Sequence, residues 1–339
     1  MTQAPLFTDS SCYHAAFATL LHTAEPHTDP FRVLGNSAAT SARLGDDNLL
    51  SFSDPLEPLT ETFRRHGYSL VQHPVRSKDD WAKAAQALQT GRAIAIAADA
   101  YFLEHYWVGH GTSHALHVVV LNDFDKTTET VRLTDPGKVV FFNDRVPLEK
   151  LTPAMCEGDA GQSWIELVPI PGHSPAAVGH RANLLALAQD LSGTSQEAGG
   201  WLSGTELTHT LSTNLDTFLD LVGNRPRGSE GAQQDWGPGP WLLLGLWWYH
   251  HTLRWLSGHL GTLAADGSLQ NGTQLVDAVE RASRDLLVVR NLIMRLGVMT
   301  ADDPRSITFR NQLRPRLALA AQNLETAGTA LAALAEENR

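Results

Sequence analysis

The chain has 339 residues, of which 42% are apolar, and a formal net charge of −11. That length and apolar content suffice for two domains with real cores, whereas an acidic balance with no clustered Lys and Arg excludes the phosphate-binding surface a nucleic-acid partner would need. Two cysteines make no disulfide framework, no basic stretch with an apolar signal core opens the chain, and the most apolar segment, 241–255, is short and interrupted by His250, His251 and Arg254; the expectation is a cytoplasmic protein that engages no membrane.

In chain order, the first ten residues form an arm, and Ser10 and Ser11 then offer side-chain oxygens to the free backbone donors of a helix start. Cys12 falls in the first turn of that helix, where the positive end of the dipole favours a thiolate, the reactive form of the thiol. Ala15, Ala16, Phe17, Leu20 and Leu21 give the helix an apolar face. Taken alone, Cys12 reads first as a small buried hydrophobe and second as a nucleophile. Residues 22–60, rich in Thr, Asp, Pro, Ser and Gly, predict an irregular excursion with one short helix. A helix then ends near His66 at Gly67, a strand covers 68–73, and Trp81, Ala84, Ala85 and Leu88 space a helix over 79–89 that Gly91 terminates. Residues 93–98 read as a buried strand delivering Asp99-Ala-Tyr101-Phe-Leu103 to the neighbourhood of the segment that follows.

Residues 104–114 read as a mobile loop over a pocket. Four histidines, His105, His110, His114 and His117, invite a metal reading. They lack defined ligand spacing and evident supporting partners, so no metal and no cofactor is expected and they count as hydrogen-bonding surface or pocket residues. His117 is set apart because it opens an apolar strand, where a polar ring needs a reason to be. The apolar run to Asp125 and the alternating run 130–136, joined by a polar turn, predict an antiparallel hairpin. A histidine opens its first strand and Asp135 closes its second, so an imidazole and an orienting carboxylate can converge on one end of a sheet. Cys12 is the available nucleophile. Cys156 lies in a loop-like setting with no base nearby and reads as structural.

A strand over 164–170 closes the first domain, and Pro171-Gly-His-Ser-Pro175 marks a boundary; the division is 1–172 and 173–339. Beyond it the period turns helical over 176–191, 207–222, 240–260, 273–296 and 305–337. Trp241, Leu244, Trp248, His251 and Trp255 form an aromatic stripe, read first as core packing and second as the lining of an acyl or acceptor pocket. The fold class is α+β: an N-terminal helix on an antiparallel sheet, then an α-helical domain.

The order Cys12, His117 followed by Val-Val-Val, then Asp135-Pro136 resembles the papain-like cysteine enzymes, in particular bacteriocin-leader peptidases. It is more similar to the N-terminal domain of the butirosin biosynthesis protein H family, whose pattern includes a strand leading into Asp-X-Tyr-Tyr/Phe-Leu, here Asp99-Ala-Tyr101-Phe-Leu103, then a His-containing loop and Asp-Pro. The resemblance spans roughly residues 8–170 and implies a papain-like fold, with Cys12, His117 and Asp135 catalytic and Ser11, Asp99, Tyr101 and His114 around the substrate. The glutamine that leader peptidases place before the cysteine is missing from 6–11, and Gln3 is too distant. The Cys12 amide with a hydroxyl of Thr8, Ser10 or Ser11 is the expected oxyanion site.

The resemblance further implies transfer of an acyl or aminoacyl group from a carrier-protein thioester to a small-molecule amine in specialised-metabolite biosynthesis. Alternatives from the same residues are a cysteine peptidase or amidase and a non-catalytic binding module. An acidic carrier would need a basic surface, for which Arg284, Arg290, Arg295, Arg305, Arg310, Arg314 and Arg316 on the last helices are candidates. Oligomeric state is not legible.

Overall fold

The computed structural model describes residues 10–37, 40–45, 50–53, 56–112, 114–137, 141–158, 161–172, 180–193, 201–223, 238–269, 272–299 and 303–337. The elements in chain order are α1 (Cys12–Ala24), α2 (Pro30–Leu34), β1 (Ala42–Leu44), β2 (Leu50–Phe52), α3 (Leu56–Arg65), β3 (Tyr68–Pro74), α4 (Lys78–Gln89), β4 (Ile94–Asp99), β5 (Leu116–Asp125), β6 (Thr130–Pro136), β7 (Phe141–Pro147), α5 (Thr152–Cys156), β8 (Ser163–Pro169) and α6 (His180–Ser192). They continue with β9 (Trp201–Leu202), α7 (Gly204–Thr213), α8 (Leu215–Gly223), α9 (Pro238–Ala265), α10 (Gly272–Val298) and α11 (Pro304–Glu337). The architecture is mixed α+β, comprising antiparallel sheets, an N-terminal helix and a C-terminal helical region.

Two compact units result: one of residues 1–30 and 63–174, the other of 31–62 and 175–339. The first holds a six-stranded antiparallel sheet in the order β3-β8-β4-β5-β6-β7. β4 is buried along its whole length, as its Ile-Ala-Ile-Ala-Ala run requires of a central strand. Trp81, Ala84, Ala87 and Leu88 of α4 share a core with Ile94, Ile96, Ala98, Val119, Leu121, Val131 and Leu133 of the strands. Helix α1 packs on β5 and β6, and the Phe17 ring meets Phe63 edge-on at 6.1 Å. Gly67 and Gly91, which end α3 and the α4 turn, take φ of 86° and 85°, a region where a Cβ is disfavoured.

Sequence periodicity gives no sign of β7, an edge strand largely exposed over Phe-Phe-Asn-Asp-Arg-Val-Pro, whose charged side chains both hide its alternation and discourage edge pairing. Cys156, expected in a loop, closes the short helix α5.

In the second unit the excursion 31–62 supplies β1 and β2, and β1 pairs with β2 on one side and β9 on the other in a three-stranded sheet. The Phe52 ring lies so close to Gly245 of α9 that a Cβ there would come within 2.1 Å of it, and Arg32 pairs with Asp266. These attachments group 31–62 with the helices, whereas the sequence reading kept 1–172 together. The buried face of α9 runs Leu242, Leu246, Tyr249, Leu253, Leu256 and Leu260. It is offset from the aromatic stripe, of which Leu244 and Trp248 are half-buried, His251 and Trp255 buried, and the Trp241 side chain lies outside the described residues. The helix expected over 207–222 is two, α7 and α8, parted at Asn214, the C-cap of α7, whose side-chain amide and backbone N–H both donate to the Thr210 carbonyl, at 3.0 and 3.1 Å.

Candidate active site

Cys12 occupies the first position of α1. Ser11 caps that helix: its Oγ accepts from the His14 N–H at 3.3 Å and lies 2.8 Å from His14 Nδ1. Ser11 is buried and its hydroxyl is engaged in this cap. Burial alone drives the His14 imidazole down to about 3, so that ring is neutral at physiological pH.

The hairpin brings the other two residues together. Val120 pairs with Thr134 and Leu121 with Leu133, a register that carried one rung further sets Asp135 across from Val119 and makes His117 its diagonal neighbour on the same face. This register is not the one set at the turn, where Asp125 pairs with Thr130. Extended from the turn without interruption, it would set Asp135 against Val120, on the face away from His117. A bulge between Asn122 and Asp125 absorbs the difference. Asp123 there adopts φ of 52°, which Asp tolerates better than most residues, and Arg145 of β7 holds it by donating from Nη1 to its carbonyl at 2.9 Å and from Nη2 to its carboxylate at 2.5 Å.

His117 Nε2 lies 2.7 Å from Asp135 Oδ2, and the Cys12 side chain lies near enough to the ring to support its charge. With Nε2 committed to the carboxylate, Nδ1 is the ring nitrogen left to serve the sulfur. Burial acts to lower the basicity of His117, but the hydrogen bonds and charges of Asp135 and Cys12 outweigh it and hold the ring at about 10. Asp135 is itself 1% exposed; burial acts to raise its pKa, and hydrogen bonds from His105 and His117 overcome this and hold it at about 2. The buried pair is therefore ionic across the neutral range.

Residues 103–112 form successive hydrogen-bonded turns, with Gly109 N–H on the Tyr106 carbonyl at 2.9 Å and Gly111 N–H on the Tyr101 carbonyl at 2.9 Å. They bracket the pair with adjacent side chains. The Tyr106 ring stacks on His117 at 4.0 Å between centroids, and burial with the nearby Cys12 and Asp135 charges pushes its phenol up to about 12, so it stays neutral. His105 points inward, Nε2 at 3.2 Å from Asp135 Oδ2. The sequence reading grouped His105 with the surface and pocket histidines; its one cue was its neighbourhood to aromatic residues on both sides.

Asp99, Tyr101 and His114 form a separate cluster. Asp99 pairs with Leu116 and is adjacent to Ala98, which lies opposite His117, so strand alternation sends Asp99 to the other face. It is fully buried, accepting from the Tyr101 N–H at 3.0 Å and meeting His114 Nδ1 at 2.9 Å. The Tyr101 and His114 rings stack at 4.3 Å, and 46% of the His114 side chain is exposed. Gly158 is tight here: a Cβ would fall 2.2 Å from Gln162 Nε2 and 2.3 Å from Asp99 Oδ2. Thr8, named for the oxyanion, lies outside the described residues, as does Gln3.

Among the described residues no three His, Cys, Asp or Glu side chains could hold a metal ion together, and no helix is long and apolar enough to cross a membrane. Several arginines named for carrier docking are committed nearby: Arg305 to Asp303 at 2.6 Å, Arg314 to Asp216 at 2.8 Å, Arg316 to Asp285 at 2.8 Å, and Arg290 over the Trp247 ring at 4.8 Å.

A thiol at a helix mouth, an imidazole and an orienting carboxylate are the groups a cysteine nucleophile requires. Compared with models of known protein families and with curated proteins, the chain matches none.

Proposed function

We propose that the chain is a cysteine-dependent acyltransferase of papain-like type, akin to the butirosin biosynthesis protein H family, that moves an acyl or aminoacyl group from a carrier-protein thioester to a small-molecule amine. The observation carrying this reading is the continuous link from Cys12 through His117 to buried, ionised Asp135. Cys12 thiolate attacks the thioester carbonyl, forming a new C–S bond. The donor thiol leaves with the proton of the His117 imidazolium. An amine then attacks the acyl-Cys12 carbonyl, neutral His117 takes its proton, and the Cys12 thiolate departs as the amide forms. The helix N-terminus and the Cys12 amide favour the oxyanion of each addition. A thioester suits this site because its leaving group is good and asks less of the oxyanion donors than an amide does.

The test is intact-protein mass spectrometry with acyl-N-acetylcysteamine thioesters as donors and hydroxylamine as acceptor. The expected result is an acyl adduct lost in Cys12→Ala, kept in Cys156→Ser, and discharged faster by hydroxylamine with formation of the hydroxamate. Discharge to the free acid at a rate indifferent to hydroxylamine identifies a hydrolase and overturns transfer. No adduct on Cys12 from any donor overturns covalent catalysis and favours a binding module.

A further inference from the structure

Asp135 serves two imidazoles. Its Oδ2 lies 2.7 Å from His117 Nε2 and 3.2 Å from His105 Nε2, while Oδ1 accepts the Gly137 N–H at 3.3 Å. The three side chains are nearly closed to solvent, at 6% for His105, 1% for Asp135 and 8% for His117. We propose that His105 is a positioning residue of this site, whose Nε2–H keeps the Asp135 carboxylate ionised and aimed while His117 works. The inference rests on the proposed reaction only in taking Cys12 as its nucleophile.

A carboxylate this deeply buried is costly unless its lone pairs are filled, and donors to the ionised form favour it. His117 alone is a poor guarantor, because its own proton state changes during each turnover and its ring must answer to sulfur as well. His105 has no such second duty toward sulfur. The ionised carboxylate offers only acceptors, so the ring proton of His105 belongs on Nε2. The Phe142 ring, 4.8 Å away and tilted, walls the imidazole on the β7 side. Other ionisable groups here are Cys12 on α1, His117 on β5, and Tyr106, whose phenol is neutral; Glu104 turns outward to Lys150 at 2.9 Å. The hydrogen bond from His105 acts beside that from His117 in holding Asp135 low against its burial. One turn thus supplies both the donor to the carboxylate and, in Tyr106, the cover on His117.

The experiment is alkylation of Cys12 by iodoacetamide from pH 4 to 10, followed by intact mass in a Cys156→Ser background. His105→Ala is expected to slow alkylation at pH 6 by about tenfold, the equivalent of one pKa unit of lost coupling, and His105→Gln, whose amide can donate, to recover most of the rate. An Ala variant that is folded by circular dichroism and superposes on its parent overturns the inference, as does a folded Gln variant no faster than Ala. Should the Ala variant fail to fold, ring ¹⁵N spectra of the unaltered protein decide: a proton on His105 Nε2 supports the assignment, and a neutral ring protonated at Nδ1 overturns it. A parent whose Cys12 reacts like a free thiol at every pH refutes the proposed function and this inference together. Enhanced acid-side reactivity in the parent, left intact by His105→Ala, refutes this inference alone.

Discussion

Replacing Asp135 by Asn removes one charge and little volume, and its effect on His117 follows from a comparison internal to the protein. His14 and His117, two buried imidazoles of the first unit, make that comparison. His14, capped by a hydroxyl, is driven down to about 3 by burial, while His117, subject to the same penalty, is held at about 10 by Asp135 and Cys12. Two unit charges about 4 Å apart at an effective dielectric of about 20 interact by about 4 kcal/mol, or about 3 pKa units. Asp135→Asn should therefore bring His117 from about 10 down to about 7, the remaining support coming from Cys12. The assay is an NMR titration of ¹³C-labelled histidine rings, assigned with a His117→Gln variant. Between pH 7 and 10 the parent ring should stay charged and the variant ring discharge. A folded Asp135→Asn protein in which His117 still titrates above about 9 would refute the reasoning, because the carboxylate would then not be what keeps the ring protonated.

Two further outcomes concern stability. Asp135 is depressed in the folded state from 3.8 to about 2, so its contribution is present above the unfolded value and disappears as pH falls through the folded one. About 2 kcal/mol should be lost from this source between pH 4 and pH 2; urea unfolding at the two pH values should show a smaller loss in Asp135→Asn, and an equal loss in both proteins refutes the assignment. Gly158→Ala should destabilise by about 1–3 kcal/mol through overpacking, since the new Cβ would press on Gln162 Nε2 and Asp99 Oδ2. An unchanged urea midpoint would mean that neither neighbour is held in place.

Much of the first unit was legible because its signals are local. The Ser11 cap, the Gly67 and Gly91 stops, the all-apolar β4 and the Asp125-to-Thr130 turn each depend on residues a few positions apart. The edge strand β7 escaped notice because exposed strands carry no obligatory apolar alternation. β1 and β2, with three residues each, are too short to show a period, and the outer partner of β1, β9, lies far along the chain, with Ala42 opposite Leu202.

By itself, then, the sequence determined that a cysteine would stand at a helix mouth, that a histidine would open one hairpin strand and that an aspartate would close the other, since capping, polarity and strand periodicity act over a few residues. Only the tertiary structure decided whether those last two would meet. Their meeting turns on one extra residue at Asp123, clamped by Arg145 of β7, and a shift of a single residue reverses the face of every side chain beyond it. His105 illustrates the same limit. Its aromatic neighbours hint at burial but name no partner, and it reaches Asp135, 30 positions away, only because the 103–112 turns fold inward over the end of the sheet.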